Sequence, residues 1–183
     1  MKAKLFVIKN LIMVVVLVAI DQITKVLAQN SLKDSKPIVL IKKVLSLQYL
    51  DGGNRGAAFG IFQNKRIFFI IITIFAVLLI CKFLFNIYKL NKTSNYSLNI
   101  KYSLLQIAEV VLIAGAIGNF IDRLFFGVVC DFIQFDFIDF PLFNVADCYV
   151  TVSVAMIFII SVFCLSEKEF GTVFRIRFGD KNE

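Results

Sequence analysis

Four long apolar segments constrain this chain more than any other feature of its sequence. Residues 5–28, 67–85, 102–121 and 144–165 are each close to the roughly 20 apolar residues that a helix needs to cross a bilayer. Hydrophobic residues make up 59% of the chain, and the mean hydropathy is +0.83. A water-soluble domain of this size does not have such a composition. The sequence therefore predicts a single membrane domain, residues 1–183, with four transmembrane helices.

The longest polar connection, residues 30–66, contains short pieces that resemble strands. Residues 38–41 and 44–50 are rich in Val, Ile and Leu and are too short to cross a bilayer as helices. Residues 51–60 are rich in glycine and small residues, which suits a tight turn or a close backbone approach to a ligand. The predicted fold is therefore all-α in the membrane, with a small extracytoplasmic β-structure over residues 30–60 at the membrane surface.

The net charge of +7 comes from basic residues that flank the apolar segments. This placement is typical of membrane proteins, whose cytoplasmic loops are enriched in Lys and Arg. No patch of interleaved basic and aromatic residues stands out, so we expect no nucleic-acid partner. The connection after the second segment is purely basic, whereas the one after the third is mostly acidic. This difference predicts that both termini lie in the cytoplasm.

The first apolar segment also resembles a secretory signal peptide. Three lysines precede the apolar run, and residues 26–28 offer a small-residue cleavage site. However, the run is interrupted by Asp21 and Lys25, which are four residues apart and can pair on one helical face. We therefore expect the segment to be retained as the first transmembrane helix. The alternative for the two charged residues is a pair that only anchors the end of that helix.

The absence of histidine limits the chemistry that the chain can perform. It excludes schemes that pair Ser or Cys with His, and it excludes metal sites built on His. The four cysteines show no Cys-x-x-Cys spacing, so no disulfide framework is expected. A zinc site formed by Cys130, Asp131, Asp147 and Cys148 is conceivable, but adjacent residues rarely both bind one ion. We expect no metal and no other cofactor.

The polar residues that could form a site are concentrated on one side of the membrane. Consecutive transmembrane helices alternate in direction, so the end of the first, the connection that follows, the end of the third and the start of the fourth meet there. The residues in these places are Asp21, Lys25, Asn54, Gly56, Asn119, Asp122, Arg123, Asp131, Asn144 and Asp147. Ionisable residues are costly in lipid and are usually functional. Residues 124–142 are predicted to be an irregular aromatic loop, and residues 166–183 a charged tail.

Two carboxylates without histidine or evident metal ligands indicate aspartic acid/base catalysis. One carboxylate takes a proton from an attacking water, while the other, protonated, hydrogen-bonds the carbonyl of a peptide bond. Two neighbouring carboxyl groups resist simultaneous ionisation and therefore share one proton.

The motifs of this chain resemble those of the lipoprotein signal peptidases, the signal peptidase II family. Five motifs match in order and spacing, over nearly the whole chain. They are Asp21-Gln22-Ile23-Thr24-Lys25, Asn54-Arg55-Gly56-Ala57-Ala58-Phe59, Gly118-Asn119-Phe120-Ile121-Asp122-Arg123, Asp131-Phe132 and Phe143-Asn144-Val145-Ala146-Asp147. Five ordered matches are a highly specific signal.

The resemblance implies an intramembrane aspartic endopeptidase that removes the signal peptide of bacterial prolipoproteins, cutting before the diacylglyceryl-modified Cys. It implies that Asp131 and Asp147 are the catalytic pair. The residues implied to support the site and bind substrate are Asp21, Asn54, Asn119, Asp122, Arg123 and Asn144, together with Lys25 and Gly56 from the same motifs. Cys130 departs from the aliphatic residue expected before the first catalytic Asp.

The resemblance also carries expectations about location and partners. It implies a monomer in the bacterial cytoplasmic membrane, with its active site near the outer face and lipidated prolipoproteins and membrane lipid as partners. Within the site, Arg123 is expected either to form an ion pair with Asp122 or to hold a substrate carbonyl.

A proton-coupled transporter is the alternative function, because it too would place acidic residues in membrane helices. A transport pathway needs polar groups through the full depth of the membrane, whereas the acids of this chain crowd at one face. Glu109 is the only acid that supports a pathway, because it lies within the third apolar segment, about three helical turns away from the cluster. We expect Glu109 instead to make a structural hydrogen bond to a neighbouring helix.

Overall fold

The computed structural model describes residues 2–56, 65–93 and 100–176. In these parts the chain forms five helices and three strands. They are α1 (Lys2–Leu32), β1 (Ile38–Ile41), β2 (Leu45–Leu47), α2 (Arg66–Thr93), α3 (Ile100–Phe125), β3 (Ile133–Phe135), α4 (Val145–Phe163) and α5 (Glu167–Val173). Residues 57–60, the last part of the predicted β-structure, lie outside the described residues.

Helices α1 to α4 are each long and apolar enough to cross a membrane. This confirms the predicted architecture of four transmembrane helices with a small β-structure. A helix satisfies its backbone hydrogen bonds internally, which is what allows it to cross lipid. Large apolar side chains such as Ile12, Ile71 and Leu78 are exposed on these helices, where lipid would cover them. The chain is therefore a multi-pass membrane protein.

Capping decides where α4 begins. The apolar segment predicts a start at residue 144, but the helix starts at Val145 because Asn144 is its N-cap. The side-chain oxygen of Asn144 accepts a hydrogen bond from the backbone N–H of Asp147, and the carboxylate of Asp147 accepts one from the backbone N–H of Asn144. This reciprocal capping box satisfies two N–H groups that a helix otherwise leaves unpaired. It also fixes the carboxylate of Asp147 at the end of the helix.

Helix α3 packs against α1, α2 and α4, and small residues on it allow a close approach. A Cβ atom added at Gly115 would lie 2.6 Å from the carbonyl oxygen of Ala146 on α4. One added at Gly118 would lie 2.5 Å from Oδ2 of Asp21 on α1. Both distances are far shorter than a van der Waals contact. The two glycines therefore let α1 and α4 come close enough to α3 for their polar side chains to meet.

The β-structure is a three-stranded antiparallel sheet with the strand order β1-β2-β3. Leu47 of β2 pairs with Ile38 of β1 on one side and with Ile133 of β3 on the other. The prediction of an irregular loop over residues 124–142 is wrong for β3. This strand has only three residues and takes its partner from a distant part of the chain, so local sequence carries almost no signal for it.

The sheet is attached to the end of α1 and to the loop that follows α3. Phe132, just before β3, is buried in a cluster with Ala28 and Leu32 of α1. An antiparallel bridge also joins Asn54 to Val129. The connection after β2 and the loop before β3 are thereby held beside the ends of the helices.

The opposite end of the bundle is covered by the short helix α5. Val173 is fully buried in a cluster that includes Ile87 of α2. Nζ of Lys101 on α3 lies 2.8 Å from Oε1 of Glu169. The sequence predicts only a charged tail in this region, and residues 167–173 correct that prediction. This contact holds the chain after α4 against α2 and α3.

Gly118→Ala should destabilise the protein, because its Cβ would collide with Asp21 and lie 3.2 Å from Cβ of Ala146. Overpacking of this kind costs about 1–3 kcal/mol, and thermal unfolding in detergent would measure it. Gly171→Ala is the matched control, since a Cβ there meets nothing within 4 Å and alanine favours the helix. Equal unfolding temperatures for the two variants would contradict the packing described above.

Candidate active site

Asp131 and Asp147 come from different elements and are joined by Asn144. Asp131 lies in the loop before β3, and Asp147 lies in the first turn of α4. Nδ2 of Asn144 donates a hydrogen bond of 2.6 Å to Oδ1 of Asp131, while its backbone N–H donates one of 3.1 Å to Oδ2 of Asp147. A single residue, itself fully buried, therefore binds both carboxylates.

Two further amides bind the outer oxygens of the same carboxylates. Nδ2 of Asn54 donates to Oδ2 of Asp131 at 2.9 Å, and Nδ2 of Asn119 donates to Oδ1 of Asp147 at 2.7 Å. Asn54 is itself fixed by its backbone pairing with Val129. These donors are neutral and do not titrate, so they orient the carboxylates without competing for a proton.

The environment of Asp131 favours its protonated form. The residue is 2% exposed, and burial raises the pKa of Asp131 to about 6, with the negative charge of Asp147 adding to the rise. The amide hydrogen bonds from Asn54 and Asn144 and the charge of Lys25 act in the opposite direction and lower the pKa of Asp131. A carboxyl group whose pKa approaches neutrality can give and take a proton near neutral pH.

The two carboxylates lie on the wall of a cavity of about 500 Å³. Most of the remaining wall is apolar, which is typical of a site that binds a mainly apolar ligand. The described residues that line it are Asn54, Gly56, Asn119, Arg123, Val129, Asp131, Phe135, Phe140, Pro141, Leu142, Phe143, Asp147, Cys148, Val150, Thr151 and Val152. The aromatic part of the wall comes from residues 135–143, where the sequence signal was only a general enrichment in Phe.

Behind this cavity, Lys25 forms buried ion pairs with two carboxylates. Its Nζ lies 2.9 Å from Oδ2 of Asp21 and 3.0 Å from Oδ2 of Asp122. It also donates a hydrogen bond of 3.0 Å to Oδ1 of Asn119. The pairing of Lys25 with Asp21 confirms the prediction made from their spacing. Because all three charged side chains are almost completely buried, the pair does more than anchor the end of α1.

Both carboxylates that bind Lys25 also accept hydrogen bonds from the backbone. Oδ1 of Asp21 accepts a bond of 2.9 Å from the N–H of Ala146, and Oδ2 of Asp122 accepts one of 3.2 Å from the N–H of Cys130. Each donor is the residue immediately before Asp147 or Asp131. Asp21 is therefore connected to Asp147, and Asp122 to Asp131, through the backbone of a single intervening residue.

Gln22 is a site residue that sequence reasoning missed. Its Nε2 donates to Oδ1 of Asp122 at 2.9 Å, to Oδ2 of Asp21 at 3.1 Å and to the carbonyl of Gly118 at 3.2 Å. The available signal was a polar side chain in an otherwise apolar helix, next to Asp21. The side chain ties α1 to α3 beside the ion pairs.

Arg123 is oriented away from Asp122, so the first of its two expected roles, an ion pair with this neighbour, is not seen among the described residues. Successive residues of a helix point about 100° apart, which turns Asp122 towards Lys25 and Arg123 towards the cavity. Nη2 of Arg123 donates to the carbonyl of Gly56 at 3.0 Å, and the guanidinium lies 4.7 Å from the ring centre of Phe69. The N–H of Gly56 in turn donates to Asn54. Arg123 thus holds the connection after β2 against the cavity.

Oε2 of Glu109 does not make the hydrogen bond expected of this side chain. Its side chain is 1% exposed, and its Oε2 has no hydrogen-bond partner in the part of the chain that the structure describes. Gln106, one turn earlier, makes the predicted type of contact instead, since its Nε2 donates to Oδ1 of Asn10 on α1 at 2.7 Å.

The alternative zinc site is not assembled in the structure. Within residues 2–56, 65–93 and 100–176, no three thiols or carboxylates come together in a way that could hold a metal ion. Cys130 turns its thiol away from Asp131, because its Sγ donates to the carbonyl of Lys25 at 3.7 Å. Burial raises the pKa of the Cys130 thiol to about 11, which keeps it protonated and a poor ligand at neutral pH.

The fold and the site define a class of protein: a multi-pass membrane protein with a pair of carboxylates, held by amide side chains, at one end of its helices. Comparison with known families identifies it further. The family model described as Signal peptidase (SPase) II matches residues 13–163. The chain belongs to the signal peptidase II family and is therefore a peptidase.

Relatives and solved structures agree with this assignment. The lipoprotein signal peptidase of Clostridium tetani is 41% identical over 153 residues, which cover 82% of this chain and 90% of the relative. That of Streptococcus pyogenes serotype M5 is 40% identical over 174 residues, or 93% and 99% of the two chains. A bacterial membrane enzyme solved by the in meso method has a TM-score of 0.67 and 33% identity, covering 86% of this chain and 94% of that one.

Arg123→Lys should lower peptidase activity although it keeps the charge. Lysine lacks the planar fork of donors, and losing a hydrogen bond made by a charged group costs about 1.5–3 kcal/mol, so we expect kcat/KM to fall at least about tenfold. Arg66→Lys is the matched control, because Arg66 also donates to a backbone carbonyl, that of Leu124, but is not among the described residues that line the cavity. Equal activity of the two variants in a cleavage assay would contradict this role of Arg123.

Proposed function

We propose that this chain removes the signal peptide from lipoproteins as an aspartic endopeptidase, with Asp131 and Asp147 as the catalytic pair. The observation that carries the proposal is the placement of the two carboxylates. They are joined by Asn144 and face one largely apolar cavity. The relatives named lipoprotein signal peptidase support the substrate class, and we place the cut before the diacylglyceryl-modified Cys.

The reaction requires one proton shared between the two carboxyl groups. The ionised member removes a proton from water as the water oxygen bonds to the carbonyl carbon of the scissile peptide. The protonated member gives its proton to the carbonyl oxygen, which produces a neutral tetrahedral intermediate. The C–N bond then breaks as the leaving nitrogen receives the proton taken from water and the hydroxyl returns its own proton to the other carboxylate. The pair titrates as a unit, so neither role belongs permanently to Asp131 or to Asp147.

The neutral amides around the pair have a positioning role in this proposal. Asn54 and Asn119 each bind the oxygen of one carboxylate that Asn144 leaves free, so both carboxylates keep a fixed orientation when the proton moves. Preorganised donors of this kind cost no reorganisation during the reaction.

Arg123 and Gly56 act on the substrate side of the site. Both line the cavity, and the guanidinium fixes the carbonyl of Gly56. A guanidinium has five N–H donors, so Arg123 has further donors for a carbonyl of the substrate. We infer that Arg123 and residues 54–56 orient the peptide backbone on either side of the scissile bond.

The proposed location follows from the distribution of charge. The C-terminal part of α2, with Lys82 and Lys89, and the contacts of α5 lie at the end of the bundle opposite the carboxylates. We therefore place that end and both termini in the cytoplasm of a bacterial cell, with the active site near the outer face of the membrane. All side chains of the site come from one chain, so a monomer suffices for the reaction. No cofactor is needed in this mechanism.

Asp131→Asn and Asp147→Asn should each abolish cleavage, because asparagine keeps the volume of the side chain but cannot exchange a proton. General acid/base catalysis contributes about 10²–10⁴ per group, and cleavage of a purified lipidated prolipoprotein in detergent would measure the loss. Asp136→Asn is the matched control. Asp136 lies five residues after Asp131 and accepts a hydrogen bond from Ser46 in the sheet. Normal turnover by either of the first two variants would remove that residue from the catalytic pair.

A substrate without the diacylglyceryl group should be cleaved poorly. Each buried CH₂ group of a lipid chain contributes about 0.8 kcal/mol to membrane binding, so burial of a few such groups already changes kcat/KM by about 100-fold. The measurement compares lipidated and unlipidated forms of one prolipoprotein at the same detergent concentration. Equal kcat/KM for the two forms would show that lipid is not recognised, without touching the assignment of the carboxylates.

A further inference from the structure

The buried ion pairs of Lys25 reach both proposed catalytic carboxylates without touching the cavity. Lys25, Asp21 and Asp122 are not among the described residues that line the cavity. Asp21 binds the N–H of Ala146, and Asp122 binds the N–H of Cys130. These contacts therefore give Lys25, Asp21 and Asp122 no direct role in substrate binding.

We propose that Lys25 is the positioning residue that keeps Asp131 and Asp147 in a fixed position relative to each other. The inference rests on the proposed catalytic pair and specifies how that pair is kept in place. One ammonium group fixes two carboxylates, and each carboxylate fixes the peptide unit directly before one member of the pair.

The first connection runs from Lys25 to Asp147 at the start of helix α4. Asp21 holds the N–H of Ala146 at 2.9 Å, and Asp147 is the next residue. Lys25 also donates to Oδ1 of Asn119, which leaves Nδ2 of that amide to donate to Asp147. Lys25, together with Asn144, whose Nδ2 donates to the same oxygen at 3.2 Å, thereby fixes which way round the Asn119 amide lies. An amide turned the other way would face Asp147 with an oxygen.

The second connection runs from Lys25 to Asp131 in the loop before β3. Asp122 binds Lys25 and the N–H of Cys130 through the same oxygen, Oδ2, and Asp131 is the next residue. The thiol of Cys130 donates to the carbonyl of Lys25 itself. The loop is therefore attached to α1 at the level of Lys25 by a side chain and to α3 by its backbone.

A cation is required at this position for an electrostatic reason. Asp21 is fully buried and Asp122 is 3% exposed, and two neighbouring buried negative charges repel each other unless a cation lies between them. Without the ammonium group, this repulsion would pull the carboxylates away from the backbone N–H groups that they bind. Gln22 donates to both carboxylates but is neutral, so it cannot replace the ammonium group.

Lys25→Met should lower kcat by about 100-fold, the effect expected when reacting groups are misplaced by about 1 Å. KM should change by less than about threefold, because the substrate does not contact Lys25. The alkaline limb of the pH profile should also move to higher pH. The groups that face Asp131 with charge are Asp147, Lys25 and Arg123, and the ammonium of Lys25 lowers the pKa of Asp131. Its removal therefore raises that pKa.

A double variant separates positioning from loss of folding. In Lys25→Met/Asp21→Asn, an amide oxygen at position 21 can still accept the N–H of Ala146, and Asp122 keeps the donors Gln22 and Cys130. We expect kcat to recover about tenfold relative to Lys25→Met. If Lys25→Met does not fold, the double variant is compared with Asp21→Asn instead. The kcat of the double variant should then be about tenfold lower than that of Asp21→Asn.

Lys101→Met is the control for losing an ion pair elsewhere on the bundle, since Lys101 pairs with Glu169 at the opposite end. It should lower the unfolding temperature and leave kcat unchanged. Wild-type kcat in Lys25→Met, a loss expressed in KM alone, or equal kcat in Asp21→Asn and the double variant would each overturn the proposal. Failure of the catalytic pair itself would be seen separately, as activity retained by Asp131→Asn in the chain that keeps Lys25.

Discussion

The ion pairs of Lys25 with Asp21 and Asp122 are the interaction on which the arrangement of the site depends. Charges buried at the end of a membrane bundle are stable only when each is paired and hydrogen-bonded. Here the pairing links α1 to α3, and the same two carboxylates also bind the backbone beside Asp131 and Asp147. The same charges that would be costly alone therefore join three parts of the chain.

Close packing along α3 makes this arrangement possible. Gly115 and Gly118 let α4 and α1 approach α3 more closely than any side chain would allow, and the capping box of α4 points Asp147 towards Asn119. The connection after β2 then supplies Asn54, and the loop before β3 supplies Asp131. Apolar packing thus sets the distances, neutral amides set the orientations, and the buried charges keep the two halves of the site together.

The sequence was informative where a feature is local or periodic. Apolar length predicts the four helices, and i,i+4 spacing predicts the pair of Asp21 and Lys25. The sequence could not show that Asp122 turns to Lys25 rather than to its neighbour Arg123, because the direction of that side chain depends on how α3 is rotated against α1. Strand β3 escaped prediction because its pairing is made with β2, far away in the chain.

The pH dependence of kcat/KM on a lipidated prolipoprotein, measured for the unmodified enzyme, tests the shared-proton mechanism most directly. The account predicts a bell-shaped profile, since cleavage stops when both carboxyl groups are protonated and again when both are ionised. Burial and the charge of Asp147 raise the pKa of Asp131 to about 6, and a bound substrate that excludes water raises it further. The alkaline limb should therefore lie at or above pH 6. Activity that keeps rising well above pH 8 would contradict the account, because no carboxyl pair could then supply the proton.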